Sequence, residues 1–396
     1  MPLGVERRTT RRTWLRTGAA ATVAMASGSL ASTALWCSPN AQAGEESPKS
    51  AVGIGRPRLP RDKLLVYRGT NNEQITVKTP ADWARRRLEI VRGMESVMGQ
   101  LPGKEKRCPL EMRIDEDVDC GSYLRRLVSF VSEPGCRVPA YLCVPKPLLQ
   151  NGKTAPAVLC LHGTDNVVGH GVVVGLGRPG RQYATELAER GYVTCAPNYP
   201  LLAKYQPDIT ALGWKSGTLK AIWDNIRTLD LLETLPYVTR RSFGAIGHSL
   251  GGHNAVFTSV FDPRLAAIVS SCGLDSFLDY YGGDEKNWFP ETGWCQTRYM
   301  PRLAEYRGHL EEIPFDFHEV VAALAPRHVL LIAPLKDDNF RSASVDRIAG
   351  AAGEVFKLFG HAERLRVAHP DGGHDFPLEM RQAAYEFLDG VLLRDG

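Results

Sequence analysis

From residue 157 onward, short apolar runs alternate with longer stretches of helical spacing. Ala157–Leu161, Tyr192–Ala196, Phe243–Ile246, Leu265–Val269, His328–Ala333 and Leu365–Ala368 are apolar and strand-length. Between and after them, residues 182–190, 216–235, 249–261, 342–359 and 378–393 carry apolar positions at helical spacing. Apolar strands with helices between them predict a mostly parallel sheet covered on both faces. Ligands in such sheets bind at the carboxyl ends of the strands.

The part before this reads differently. Tyr123–Val131 and Val138–Val144 alternate in polarity around Ser132-Glu133-Pro134-Gly135, which predicts an antiparallel hairpin. Pro80-Ala81-Asp82-Trp83 opens a helix that runs to about Met98 and stops at Leu101-Pro102-Gly103. Its expected buried stripe is Trp83, Leu88, Val91, Glu95 and Met98, with Arg85–Arg87 on a solvated face. The division drawn from this is a leader at 1–43, a linker and helical extension at 44–119, and a catalytic domain at 120–396.

One long insertion, residues 275–326, breaks the strand–helix rhythm. It holds Tyr280, Tyr281, Trp288, Phe289, Trp294, Tyr299 and Tyr306. Such a cluster predicts a roof over a binding site, a small aromatic core, or both.

Charge adds little once the leader is set aside. The chain has 48 basic and 44 acidic residues, a net of +4. Five arginines and one glutamate fall in residues 1–43, so the remainder is neutral. That gives no reason to expect nucleic acid or an anionic membrane as partner. Thr10-Arg11-Arg12-Thr13-Trp14-Leu15-Arg16, a weakly apolar run to Trp36 and Ala41-Gln42-Ala43 together read as a twin-arginine export signal with a cleavage site. The expected location is periplasmic or extracellular, without a stable membrane anchor. Eight cysteines follow Cys37. Cys160 and Cys195 lie in apolar strands and read as buried thiols. Cys272 and Cys295 flank one long insertion and could staple it.

The candidate chemistry gathers at strand ends. Gly247-His248-Ser249-Leu250-Gly251 joins a strand to a helix, and a serine on that sharp turn presents its hydroxyl outward. A serine hydroxyl needs a base, and the base needs an orienting acid. His374, in Gly372-Gly373-His374-Asp375, is the candidate base. His369 reads as structural, His248 as pointing away on its tight turn, and His162 as a hydrogen-bonding loop residue. Asp337, after the strand ending at Ala333, is the candidate acid, with Asp338 and Asp275 as alternatives. The backbone N–H groups of Leu250 and Thr164 are the expected oxyanion donors. Asp165, Asn166, Trp288 and Trp294 are candidate substrate contacts. This chemistry needs no metal or organic cofactor. Gly175-Leu176-Gly177-Arg178-Pro179-Gly180 has dinucleotide-loop spacing but follows a loop rather than a strand, so it reads as a loop.

Taken in order, Leu-His-Gly-Thr at 161–164, Gly-His-Ser-Leu-Gly-Gly at 247–252, Pro-Leu-Lys-Asp-Asp-Asn-Phe at 334–340 and Gly-Gly-His-Asp-Phe-Pro at 372–377 resemble the α/β-hydrolase superfamily. Within it, the chain resembles secreted dienelactone-hydrolase-like and acetyl-xylan-esterase-like enzymes over residues 120–393. The resemblance implies a Ser249–His374–Asp337 triad. Dienelactone hydrolases proper carry a cysteine where this chain has Ser249, which favours ester hydrolysis in general. The implied function is a secreted serine esterase acting on small-molecule or polysaccharide esters through an acyl-enzyme. The alternative is a peptidase of prolyl-oligopeptidase type, and a non-catalytic binding protein is a third.

Overall fold

The computed structural model describes residues 58–393, so the expected export signal at 1–43 and most of the expected linker lie outside the described residues. The first elements are a small antiparallel hairpin, β1 (Val66–Arg68) and β2 (Gln74–Thr76), and helix α1 (Pro80–Met98). Then come β3 (Arg113–Asp119), β4 (Tyr123–Glu133), β5 (Cys136–Pro145), α2 (Lys146–Gln150), β6 (Ala155–Leu161), α3 (Tyr183–Glu189) and β7 (Val193–Pro197). The second half runs α4 (Gly217–Thr234), β8 (Val238–His248), α5 (Leu250–Phe261), β9 (Leu265–Ser271), α6 (Phe317–Ala322), β10 (His328–Ile332), α7 (Ser342–Leu358), β11 (Leu365–Ala368) and α8 (Leu378–Leu392).

Nine strands form one sheet in the order β11-β10-β9-β8-β6-β7-β5-β4-β3. From β11 to β7 all neighbours are parallel, and from β7 to β3 all are antiparallel. The period-two alternation of a strand explains why both faces are apolar. Along β6, Ala157, Leu159 and Leu161 enter one buried core while Val158 and Cys160 enter the other. Along β10, Val329 and Leu331 face the first core and Leu330 and Ile332 the second. The first core also holds buried residues of α1, α4, α5, α6 and α7, and the second those of α3 and α8.

Strand order reverses beside β6, because β7 lies on one side of it and β8 on the other. The crevice at such a reversal is where ligands bind in open α/β sheets. The loops carrying Thr164 and Ser249 leave β6 and β8 there.

Three expectations need correction. Strand β3 belongs to the main sheet, so the sheet begins before residue 120. The buried face of α1 is Trp83, Arg86, Ile90, Met94, Val97 and Met98, while Leu88 is 49 % exposed. Arg85 does face solvent, but Arg86 is buried and Arg87 half-buried. Arg86 and Arg58 both pair with buried Glu319 of α6, and Arg61 pairs with Asp316 at its start. Arg87 donates to the carbonyls of Ala323 (Nε, 3.0 Å) and Val260 (Nη2, 2.5 Å). These cations close orphan carbonyls and carboxylates that a purely apolar stripe would leave unsatisfied. Removing one member of a buried pair strands its partner. Glu319→Gln is therefore expected to destabilise the fold by about 3 kcal/mol, measured by denaturant titration.

Candidate active site

Ser249 sits between β8 and α5 with φ +57° and ψ −125°, a strained conformation for a residue with a side chain. Neighbouring glycines make the turn sterically feasible. A Cβ on Gly247 would lie 2.2 Å from the Gly251 backbone, and one on Gly251 would lie 1.9 Å from the Leu161 carbonyl oxygen. The Ser249 amide donates to Ser271 O at 2.8 Å, tying the turn to the end of β9.

His374 Nε2 lies 2.9 Å from Ser249 Oγ. On its other edge, His374 Nδ1 lies 2.9 Å from Asp337 Oδ2 and 3.1 Å from Oδ1. The loops after β10 and β11 that carry the acid and the base are bonded to each other, Lys336 N–H to Gly372 O at 2.9 Å and Leu335 N–H to Pro370 O at 3.0 Å. Burial pushes the Asp337 carboxyl up, but the His374 hydrogen bond and charge and the amides of Phe340 and Asn339 outweigh it. Its pKa is held below the usual carboxylate range.

The alternative acids fall elsewhere. Asp338 is exposed to solvent. Asp275 is fully buried, and among the described residues neither of its oxygens has a hydrogen-bond partner. Burial pushes its carboxyl up to about 7. The folded form thus keeps a proton that the unfolded chain releases near pH 4, and stability falls as pH rises between about 4 and 7. Asp275→Asn should flatten that decline in melting temperature measured across this window.

The other three histidines singled out in the sequence sit in distinct environments. His162 Nε2 accepts the Tyr199 amide at 3.0 Å, Nδ1 lies 2.7 Å from Gly163 O, and burial lowers its pKa to about 4. His369 lies 2.7 Å from Ala333 O and 2.9 Å from Asp346 Oδ1. His248 does not simply point away. Its ring lies 4.9 Å from the His374 ring and is stacked on Phe376 at 6.2 Å. With Phe340 at 5.7 Å, it fixes the plane of the candidate base.

A cleft of about 130 Å³ opens over Ser249, lined by Thr164, Leu250, Tyr280, Tyr281, Trp294, Gln296, Tyr299, Asn339 and Phe340 among others. Among the described residues no acceptor takes the backbone N–H of Leu250 or Thr164, and Leu250 opens α5. A Cβ on Gly163 would lie 3.6 Å from Ser249 Cβ, so the loop after β6 abuts the serine. A larger groove of about 400 Å³, lined by residues including Arg137 and Tyr205, contains none of the triad residues.

Two of the candidate substrate contacts are placed differently. Trp288 is fully buried against Phe277 and Tyr280 and fills the insertion's own core. Asp165 spends its Oδ1 on the amides of Val167, Val168 and Gly169 and so shapes the loop. Asn166 accepts from Arg298 Nη1 at 2.9 Å. Trp294 lines the cleft and stacks on buried His253 at 4.5 Å. The insertion is thus both core and cleft wall. Cys272 and Cys295 do not staple it, since both are free, buried thiols. Cys272 lies instead beside the triad, its Sγ 3.4 Å from Asp375 O. Cys272, Asp337 and His374 bring three ligand-type atoms within 4.8 Å of one another, but the carboxylate and imidazole already bond each other. Among the described residues no helix is long and apolar enough to cross a membrane.

The family described as "Glucuronyl esterase, fungi" matches residues 213–360. The chain is 25 % identical over 202 residues to 4-O-methyl-glucuronoyl methylesterase 1 of Wolfiporia cocos, covering 48 % of each chain. It spans about half the length of the curated relatives it matches. Among solved structures, a glucuronoyl esterase from Solibacter usitatus superposes with a TM-score of 0.64 at 20 % identity, covering 84 % of this chain and 97 % of that one. The glucuronoyl esterase catalytic domain of Hypocrea jecorina gives 0.59 at 17 %, covering 85 % and 90 %. The sheet order, the serine turn after β8 and the likeness to these solved structures agree: the chain has the α/β-hydrolase fold.

Proposed function

We propose that this protein is a serine hydrolase of carboxylic esters carried on carbohydrate, either uronoyl or acetyl esters. The observation that carries the proposal is the unbroken hydrogen-bond path from Asp337 through His374 to Ser249 Oγ. In this reading His374 Nε2 takes the hydroxyl proton as Oγ attacks the ester carbonyl. The oxyanion forms against the free amides of Leu250 and Thr164. His374 then gives its proton to the departing alcohol, leaving an acyl-enzyme on Ser249. A water repeats the sequence in reverse and releases the acid. Asp337 keeps the Nδ1–H tautomer and stabilises the imidazolium.

The cleft supports a ring-shaped, uncharged ester group. Apart from aliphatic Leu250, its side chains are aromatic or neutral polar, with no carboxylate or ammonium among them. Aromatic faces suit the apolar faces of sugar rings, and Gln296 and Asn339 supply hydrogen bonds. The named relatives act on glucuronoyl esters, which supports the same class here and lends nothing to the peptidase alternative. The twin-arginine pattern at residues 10–16 supports export, where polymeric esters are met.

The test is a substrate panel for the protein lacking residues 1–43 and its Ser249→Ala form. It comprises alkyl glucuronate esters, acetylated xylan, p-nitrophenyl esters and aminoacyl anilides. Serine-dependent release from uronoyl or acetyl esters, with anilides untouched, is expected. Preferential anilide cleavage would move the protein to the peptidases.

A further inference from the structure

We infer that Tyr299, reaching down from the insertion, is a positioning residue that aims the Thr164 amide at the oxyanion. The inference rests on the ester-hydrolase reading above.

The loop after β6 is pinned at nearly every residue. His162 holds its start, Asp165 gathers the three amides that follow, and Asn166 is bonded to Arg298. Thr164, between these anchors, has one hydrogen bond among the described residues. Its Oγ1 lies 2.9 Å from the Tyr299 hydroxyl. The residue whose amide must point accurately is therefore held through its side chain, by a group outside its own loop.

Tyr299 itself is rigid. It is 7 % exposed, and its ring packs against Trp294 at 5.5 Å and Tyr199 at 6.3 Å. Its carbonyl accepts the Thr218 amide at 3.1 Å, and Thr297 O accepts the Gly217 amide at 3.0 Å, both in the first turn of α4. The contact is close, since a Cβ on Gly217 would lie 2.3 Å from Arg298 O. A path of short bonds thus runs from the buried start of α4 through residues 297–299 to Thr164. A donor fixed by such a support acts without reorganising as the oxyanion develops. The insertion would then set catalytic rate as well as cover the cleft.

Steady-state kinetics on a p-nitrophenyl ester test this, with Tyr299→Phe, Thr164→Val, Thr164→Ser and the double variant Tyr299→Phe/Thr164→Val. Tyr299→Phe and Thr164→Val are each expected to lower kcat by about 10- to 100-fold with KM within about threefold, since a lost oxyanion donor costs about 100- to 1,000-fold. The double variant should be no slower than the worse single, because both break one link. Thr164→Ser should regain most of the rate that Thr164→Val loses. Unchanged kcat in Tyr299→Phe, a rise confined to KM, or multiplicative losses in the double variant would overturn the inference. Should the parent protein cleave no ester, the ester reading fails on its own. The rate of fluorophosphonate addition to Ser249 then decides, with slower addition in Tyr299→Phe expected and equal rates contradicting it.

Discussion

Replacing Ser249 with alanine should lower kcat by about 10⁴-fold or more, on any ester the parent protein cleaves. Without Oγ there is no acyl-enzyme, and the bond to His374 Nε2 has no donor. What remains is water attack beside the Leu250 and Thr164 amides. The fold should hardly notice. Alanine carries the same Cβ at φ +57°, so the turn keeps the strain it already has, and the backbone bond to Ser271 O is untouched. The melting temperature is expected to stay within about 2 °C of the parent. Calorimetry on the same sample separates lost chemistry from lost structure.

The second large effect separates two neighbours. Asp337→Asn should lower kcat by about 10⁴-fold, whereas Asp338→Asn should stay within about threefold. In Asp337→Asn the new side-chain amide can turn its NH₂ toward His374 Nδ1, forcing that nitrogen to accept. The ring proton would then sit on Nε2, facing Ser249 Oγ, and the base would be lost. Because His374 and the loop amides hold Asp337 below the usual carboxylate range, it stays ionised in mild acid. The loss in Asp337→Asn should therefore appear throughout the neutral and mildly acidic range. Asp338 faces solvent, and its charge is screened from the imidazole. A worse defect in Asp338→Asn would reassign the acid.

The sheet is legible in the sequence because its central strands are buried on both faces and read as unbroken apolar runs. Strand β3 is not, because an edge strand exposed along most of its length, Arg113-Ile114-Asp115-Glu116-Asp117-Val118-Asp119, has no apolar face to betray it. The buried stripe of α1 is obscured for a related reason. Arg86 is buried against Glu319, more than 200 residues away, and nothing near it in the sequence announces that partner. At the site, Ser249, His374 and Asp337 can be singled out because each occupies a loop at a strand end. Tyr299 cannot. In the sequence it is one of several aromatics in the insertion, and its bond to Thr164 spans 135 positions. Trp288 and Trp294 look alike in sequence, yet the fold turns one into the insertion's core and the other toward the cleft.

The measurement that tests the central claim most directly is peptide mass mapping after incubation with a fluorophosphonate. A single stoichiometric adduct on Ser249, absent from Ser249→Ala and strongly slowed in Asp337→Asn, is the expected result. An unlabelled Ser249 in folded protein, or an adduct on another residue, would contradict a nucleophile activated by His374 and Asp337.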